Sequence, residues 1–137
     1  MLIHAAAGGV GSVAVQLAKA RGAYVIGTAS ASELGLLLEL GADEQIDYTA
    51  GPFEEVVRDV DVVMDTVGGE TQARSWGTLK PGGIYGVIDH AARKGQGATV
   101  VKSLHRIEPA TLRKDIEASG FVFDGEATFL RNPRDLK

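Results

Sequence analysis

The sequence predicts a three-layer α/β fold, a mostly parallel, doubly wound sheet with helices on both faces. Three observations carry this. Short apolar runs alternate with amphipathic segments at the pace of βαβ units. The glycines, 18 in 137 residues, cluster where the apolar runs end rather than spreading as a linker. The first, second, fourth and fifth apolar runs are apolar at consecutive positions, as strands buried on both faces are.

Each element follows from its residues. Leu2 to Ala5 reads as the first strand and ends in Ala6-Ala7-Gly8-Gly9-Val10-Gly11. A helix through Val13, Val15, Leu17 and Ala18 closes near Gly22. Tyr24 to Gly27 is the second strand. Ser32 caps a helix through Leu34, Leu37, Leu38 and Leu40, stopped by Gly41. Gln45 to Tyr48 is a third strand, and Pro52 opens a short helix. Val60 to Asp65 is the strongest strand. Thr71 caps a helix to Leu79, Lys80 to Gly83 is a turn, and Ile84 to Ile88 is the fifth strand. Beyond it, His90 to Val100 reads as a loop, and Pro109 to Ser119 as a helix closed by Gly120. Phe121 to Leu130 alternates apolar and polar residues, as a sixth, edge strand does. The expected topology is one Rossmann-like domain, strand order 3-2-1-4-5-6.

The chemistry centres on Ala6-x-Gly8-x-x-Gly11. This variant of GxGxxG follows a strand and opens a helix, the context the motif requires. A bare backbone at Gly8 admits a pyrophosphate, and Gly11 lets the helix close on the strand. Free N–H groups at the helix start favour phosphates. At the end of the second strand stand Thr28-Ala29-Ser30 rather than the Asp or Glu usual for NAD. Small polar residues leave room for a 2′-phosphate, so the expectation leans to NADP(H). No Lys or Arg lies between Gly22 and Arg58, however, and Glu33 would repel such a phosphate; its other role is a partner of the helix dipole.

Other chemistry is excluded. There is no cysteine, so no disulfide or thiolate metal site. His4, His90 and His105 lack metal-ligand spacing, and no metal is expected. His4 reads as packed or capping, and Asp89 as a loop cap. Ser103 near His105 lacks the strained elbow of a hydrolase nucleophile. The net charge of −4 gives no reason to expect nucleic acid. No apolar run reaches the ~20 residues of a membrane span. No signal peptide is visible. A cytoplasmic protein is expected, monomeric or dimerised through an edge strand, with no obligate partner.

From Leu2 to about Ile88, "LIHAAAGGVGSVAVQLAKARGAYVIGTAS", "LLLELGADEQIDYTA" and "VDVVMDTVGGETQARSWGTLKPGG" resemble the cofactor domain of zinc-independent quinone oxidoreductases, medium-chain dehydrogenase/reductases. The resemblance implies NADPH binding, with the pyrophosphate over Ala7, Gly9 and Val10. It sets Thr28, Ser30 and Tyr48 at the adenosine ribose, Thr66, Val67 and Gly68 along the middle, and Val87 and Ile88 near the nicotinamide. From residue 89, "LHRIEP", "IEASGF" and "LRNP" resemble the C-terminal part of a class I S-adenosylmethionine methyltransferase. In the dehydrogenase family a catalytic segment precedes this domain, whereas here the first strand starts at residue 2. The methyltransferase-like part also stops before its usual last strand. The combined expectation is an engineered chimera, expressed recombinantly, of parts 1–88 and 89–137. It would have residual NADP(H) affinity or no ligand at all, and no catalytic residues. The alternatives are a natural or truncated NADPH-dependent quinone reductase cofactor domain, or an S-adenosylmethionine-binding methyltransferase-like domain.

Overall fold

The computed structural model describes residues 1–99, 101 and 106–128. They fall into two compact units, Met1–Ile88 and Asp89–Lys137.

The first unit is a five-stranded sheet of order β3-β2-β1-β4-β5, with every neighbouring pair parallel. Its elements are β1 (Leu2–Ile3), α1 (Gly9–Ala20), β2 (Ile26–Ala29), a 3₁₀ turn (Ala31–Glu33) and α2 (Leu34–Glu39). They continue with β3 (Glu44–Asp47), α3 (Phe53–Val56), β4 (Val60–Asp65), α4 (Gly69–Ser75), a second 3₁₀ turn (Trp76–Thr78) and β5 (Leu79–Val87). The expected Rossmann-like order is therefore realised through its fifth strand.

Adjacent strand residues point to opposite faces, so Leu2 and Ile3, both fully buried, seed two cores. Ile3 packs with Val15, Val25 and Leu37, beneath α1 and α2. Leu2 packs with Phe53, Val57, Val60 and Val63, on the side of α3. Each such side chain contributes roughly 1.5–3 kcal/mol by leaving water. Asp43 ties the first layer to the sheet: it accepts the Lys19 ammonium at 2.8 Å and the Val25 amide at 2.7 Å.

Several boundaries differ from expectation, each for a local reason. β1 stops at Ile3 because Ala5 takes a left-handed φ of 46°. β2 begins at Ile26, two residues later than Tyr24, after the Asp43 carboxylate has taken the Val25 amide. Ser32 does not cap a helix; it lies inside the 3₁₀ turn that Ser30 precedes. Thr71 is inside α4, which starts at Gly69, with Gly68 and Gly69 at φ 73° and 60°.

Lys80–Gly83 is not a turn between elements. Val60 pairs with Leu79 and Val62 with Ile84, so two residues along β4 match five along β5. Gly82, at φ 76°, lets the chain bulge there and rejoin the same strand.

In the second unit, β6 (His90–Ala91) and β7 (Arg106–Ile107) pair in parallel, and α5 spans Pro109–Ala118. His90 and Ala91 thus interrupt what reads as loop. The expected sixth strand is absent over residues 121–128, and residues 129–130 lie outside the described residues. The alternation there serves a side-chain contact instead: the Arg113 guanidinium lies 3.9 Å over the Phe123 ring. Among the described residues, no helix is long and apolar enough to cross a membrane.

Gly11 sets how closely α1 approaches β1. A Cβ there would lie 2.2 Å from the Ala5 carbonyl oxygen and 2.7 Å from the Ala6 Cα, and backbone cannot swing aside. At Gly9 a Cβ meets nothing within 4 Å. Gly11→Ala should therefore cost about 2–4 kcal/mol of stability, and Gly9→Ala should be near neutral. Urea unfolding of the two variants checks the contrast.

Candidate functional site

The sheet order reverses between β1 and β4: the chain runs outward to β3, then returns to the other side of β1. In open α/β sheets, ligands bind at the carboxyl ends of the strands where this occurs. The residues singled out in sequence gather at that edge. Ala6 to Gly11 follow β1, Thr28 and Ser30 close β2, and Tyr48 follows β3. Thr66, Val67 and Gly68 follow β4, Val87 ends β5, and Ile88 follows it.

After β1 the chain turns through Ala5, whose carbonyl accepts the Gly8 amide at 2.9 Å. Gly8 precedes α1 in extended conformation, and no side chain caps the helix or places an acid in its first turn. The first-turn N–H groups have no partner within a helix. Here they sit beside Gly9, where a side chain would enter open space. This bare, electropositive cradle fits a pyrophosphate. Ala6 is fully buried under the loop.

Beneath the loop lies a buried polar network. His4 is 1% exposed, with Nε2 at 2.7 Å from Ser75 Oγ and Nδ1 at 3.2 Å from Thr28 Oγ1. Ser75 spends its own proton on the Thr71 carbonyl at 2.6 Å, so it accepts from His4. The imidazole is then neutral with the proton on Nε2, and Nδ1 accepts the Thr28 hydroxyl. The Thr28 side chain, also buried, is thus committed inward. Phe53 meets the His4 ring edge-on at 4.7 Å, and the Arg74 guanidinium lies 4.9 Å from the Phe53 ring centre. Arg74 in turn pairs with Glu54.

Asp65 closes the other side of the crevice. It is fully buried, which a carboxylate tolerates only when its oxygens are satisfied. Oδ1 accepts the Val67 and Gly68 amides at 2.7 and 3.0 Å, and Oδ2 accepts the Tyr85 hydroxyl. Burial, then the hydrogen bond to Asp65, holds the Tyr85 phenol far above its usual pKa, so it stays a donor. Thr66 adds a bond to the His4 carbonyl at 3.3 Å, and the Ile88 amide bonds to the Asp65 carbonyl at 3.0 Å. One carboxylate therefore fixes the 66–68 loop to both β4 and β5. Sequence reading missed this role: the end of "VDVVMD" was visible, but Tyr85 as its partner was not.

Beside the glycine loop runs an open apolar groove of about 340 Å³, lined by Gly9, Val10, Val13, Leu17, Met64 and Ile88. Tyr48 is exposed, with its amide on the Ala29 carbonyl at 3.2 Å. The Ser30 hydroxyl donates to Glu33 Oε2 at 2.8 Å. In the second unit, Asp89 caps the loop by accepting the His90 amide at 2.6 Å. Ser103 and His105 lie outside the described residues.

A parallel doubly wound sheet with a glycine cradle at its reversal point defines a dinucleotide-binding domain. The sequence profile of the zinc-binding dehydrogenase family matches residues 9–126. The chain belongs to this family. It is 40% identical over 111 residues to a 2-haloacrylate reductase of Burkholderia, covering 76% of this chain and 33% of that one. The quinone oxidoreductase of Coxiella burnetii superposes with a TM-score of 0.60 at 38% identity, covering 78% of this chain and 34% of that one. The E. coli protein YhdH, solved with bound NADPH, gives a TM-score of 0.56 at 26% identity, covering 63% and 28%. The chain spans 22% to 34% of the length of such relatives.

These findings correct two expectations. The family match and the 111-residue alignment both run past residue 88. They give no support to a splice there, nor to a methyltransferase part. The expectation of a protein without catalysis also loses its ground, since the relatives are oxidoreductases. The family's name implies zinc, but among the described residues no three His, Cys, Asp or Glu side chains are placed to hold a metal ion.

His4 makes stability depend on pH. Burial lowers its pKa to about 4, with Asp65 opposing and Arg74 assisting. The unfolded chain takes up that proton near pH ~6.5. Stability is thus full above about pH 6.5 and falls as the pH drops toward 4, where the native imidazole also protonates. Between about pH 7 and 5 the loss from this group should be about 2 kcal/mol. Urea midpoints across that range test it, with His4→Gln expected to flatten the slope.

Proposed function

We propose that this chain binds a nicotinamide dinucleotide as the cofactor domain of a reductase acting on quinones or on electron-poor carbon–carbon double bonds. The observation that carries this reading is the uncapped start of α1 behind Gly8, at the reversal between β1 and β4. The likeness to a 2-haloacrylate reductase and a quinone oxidoreductase supports the acceptor class.

Roles follow from position. The amides of Ala7, Gly9 and Val10 would hold the pyrophosphate, with the α1 dipole favouring its charge. Ser30 and Tyr48 stand at the adenosine end. Thr66, Val67 and Gly68, fixed by Asp65, would support the middle. Val87 and Ile88, with Met64 behind them, would shelter the nicotinamide from water. When bound, the reduced nicotinamide supplies the hydride; the protein's task is to orient it. The neutral His4 lies too deep, at 1% exposure, to exchange protons with a substrate, so its part is to brace the β1 and β2 ends.

Gly9→Asp tests the reading cleanly. A Cβ at this position meets nothing within 4 Å, and an acid at a helix start favours the helix, so folding is kept. A carboxylate at the pyrophosphate cradle should weaken NADH and NADPH binding by at least about tenfold. Titration followed by reduced-nicotinamide fluorescence measures it. Absent binding to the wild-type chain, or binding unchanged in the variant, would sink the proposal.

A further inference from the structure

We propose that Tyr85 is a positioning residue for the nicotinamide half of the dinucleotide. By holding Asp65 from β5, it sets the 66–68 loop in place before the ligand arrives. The inference rests on the dinucleotide reading above and names a residue that acts on that site through another.

The parallel register of β4 and β5 makes the link. Val63 stands opposite Tyr85, and Asp65 opposite Val87. Alternate strand residues share a sheet face, so Val63, Asp65 and Tyr85 lie on one side. The Tyr85 ring packs against the core around Leu2 and Phe53, and its hydroxyl donates to Asp65 Oδ2. With Oδ2 held, the carboxylate cannot rotate, and Oδ1 stays on the Val67 and Gly68 amides at 2.7 and 3.0 Å. Hydrogen bonds to an ionised acceptor are the strong ones, so this small network is stiff.

The loop needs such an anchor. Gly68 and Gly69 are both left-handed, at φ 73° and 60°, and a Cβ at either would meet nothing within 4 Å. Two such glycines in succession leave the backbone wide freedom. The Thr66 hydroxyl reaches the His4 carbonyl at 3.3 Å and the Gln72 amide reaches the Gly68 carbonyl at 3.4 Å, both longer than the two bonds from Asp65. The Asp65 carbonyl also accepts the Ile88 amide at 3.0 Å, so one residue fixes the loop after β4 and the end of β5 together. The sheet order puts β2 and β3 on one side of the reversal and β4 and β5 on the other. With the adenosine end at Ser30 and Tyr48, the nicotinamide half falls at the 66–68 loop and Ile88. A loop ordered in advance spares the ligand the cost of ordering it.

The test titrates the whole chain with NADH, with NADPH and with 5′-ADP, which carries the adenosine end and the pyrophosphate but no nicotinamide. Tyr85→Phe keeps the half-buried ring and drops the hydroxyl. It should weaken both dinucleotides about tenfold and 5′-ADP by no more than about twofold. The fluorescence gain of the bound reduced nicotinamide should also fall in the variant. A merely structural role would weaken all three ligands alike. Hydrogen exchange on the wild-type chain needs no variant and so decides the matter if Tyr85→Phe does not fold. The Val67 and Gly68 amides should exchange at least about tenfold more slowly than in an unfolded chain before any ligand is added. Equal weakening of 5′-ADP, dinucleotide binding unchanged in Tyr85→Phe, or free exchange at Val67 and Gly68 would overturn the inference and leave the dinucleotide reading standing. Binding of neither dinucleotide to the wild-type chain would overturn that reading, and this inference with it.

Discussion

The structure depends on one close approach, that of α1 to the chain leaving β1. With hydrogen alone at Gly11, the helix lies against the Ala5 carbonyl and the Ala6 backbone. That contact fixes where the helix starts, and so where its unpaired amides point. It also explains two costs the chain accepts nearby: a left-handed Ala5, and a fully buried Ala6 too small to push the helix away. A wider helix–strand spacing would move the cradle off the line between β1 and β4, and the loop would lose its use without losing its sequence motif.

The polar groups under the cradle do a second, separate job. An apolar filling would let the ends of the strands slide. His4 instead bonds β1 to β2 through Thr28 and to α4 through Ser75, while Asp65 bonds β4 to its own following loop and to β5. Directional bonds specify the loop positions where packing alone would leave several. The penalty is sensitivity to acid, since the same burial that makes the bonds directional excludes a second proton from the imidazole.

Much of this was legible from the residues. The strand order through β5 follows from the alternation of apolar runs and glycine stops, because both report burial and chain reversal directly. The placement of Gly8, Gly9 and Gly11 at the start of α1 follows from the motif's spacing. What was not legible is what depends on partners distant in sequence. Tyr85 on Asp65 spans 20 residues, and Ser75 on His4 spans 71. Alternation misled at Phe121 to Thr128, where Phe123 lies under Arg113 rather than in a sheet. Pro81-Gly82 read as a turn because a bulge needs the same backbone freedom. The methyltransferase resemblance rested on short fragments, and a continuous family match outweighs it.

That bulge also decides how the sheet meets its surroundings. Among the described residues, β5 is the outer strand next to β4. An outer strand is a template for any extended chain that comes near, because its amides and carbonyls are offered in a regular row. Pro81 removes one amide from the row, and the excess residues before Ile84 break its spacing. The first half of β5 is therefore unreadable to another strand. Only Ile84 to Val87 keeps an even edge, and four residues are a short foothold for aggregation by strand addition.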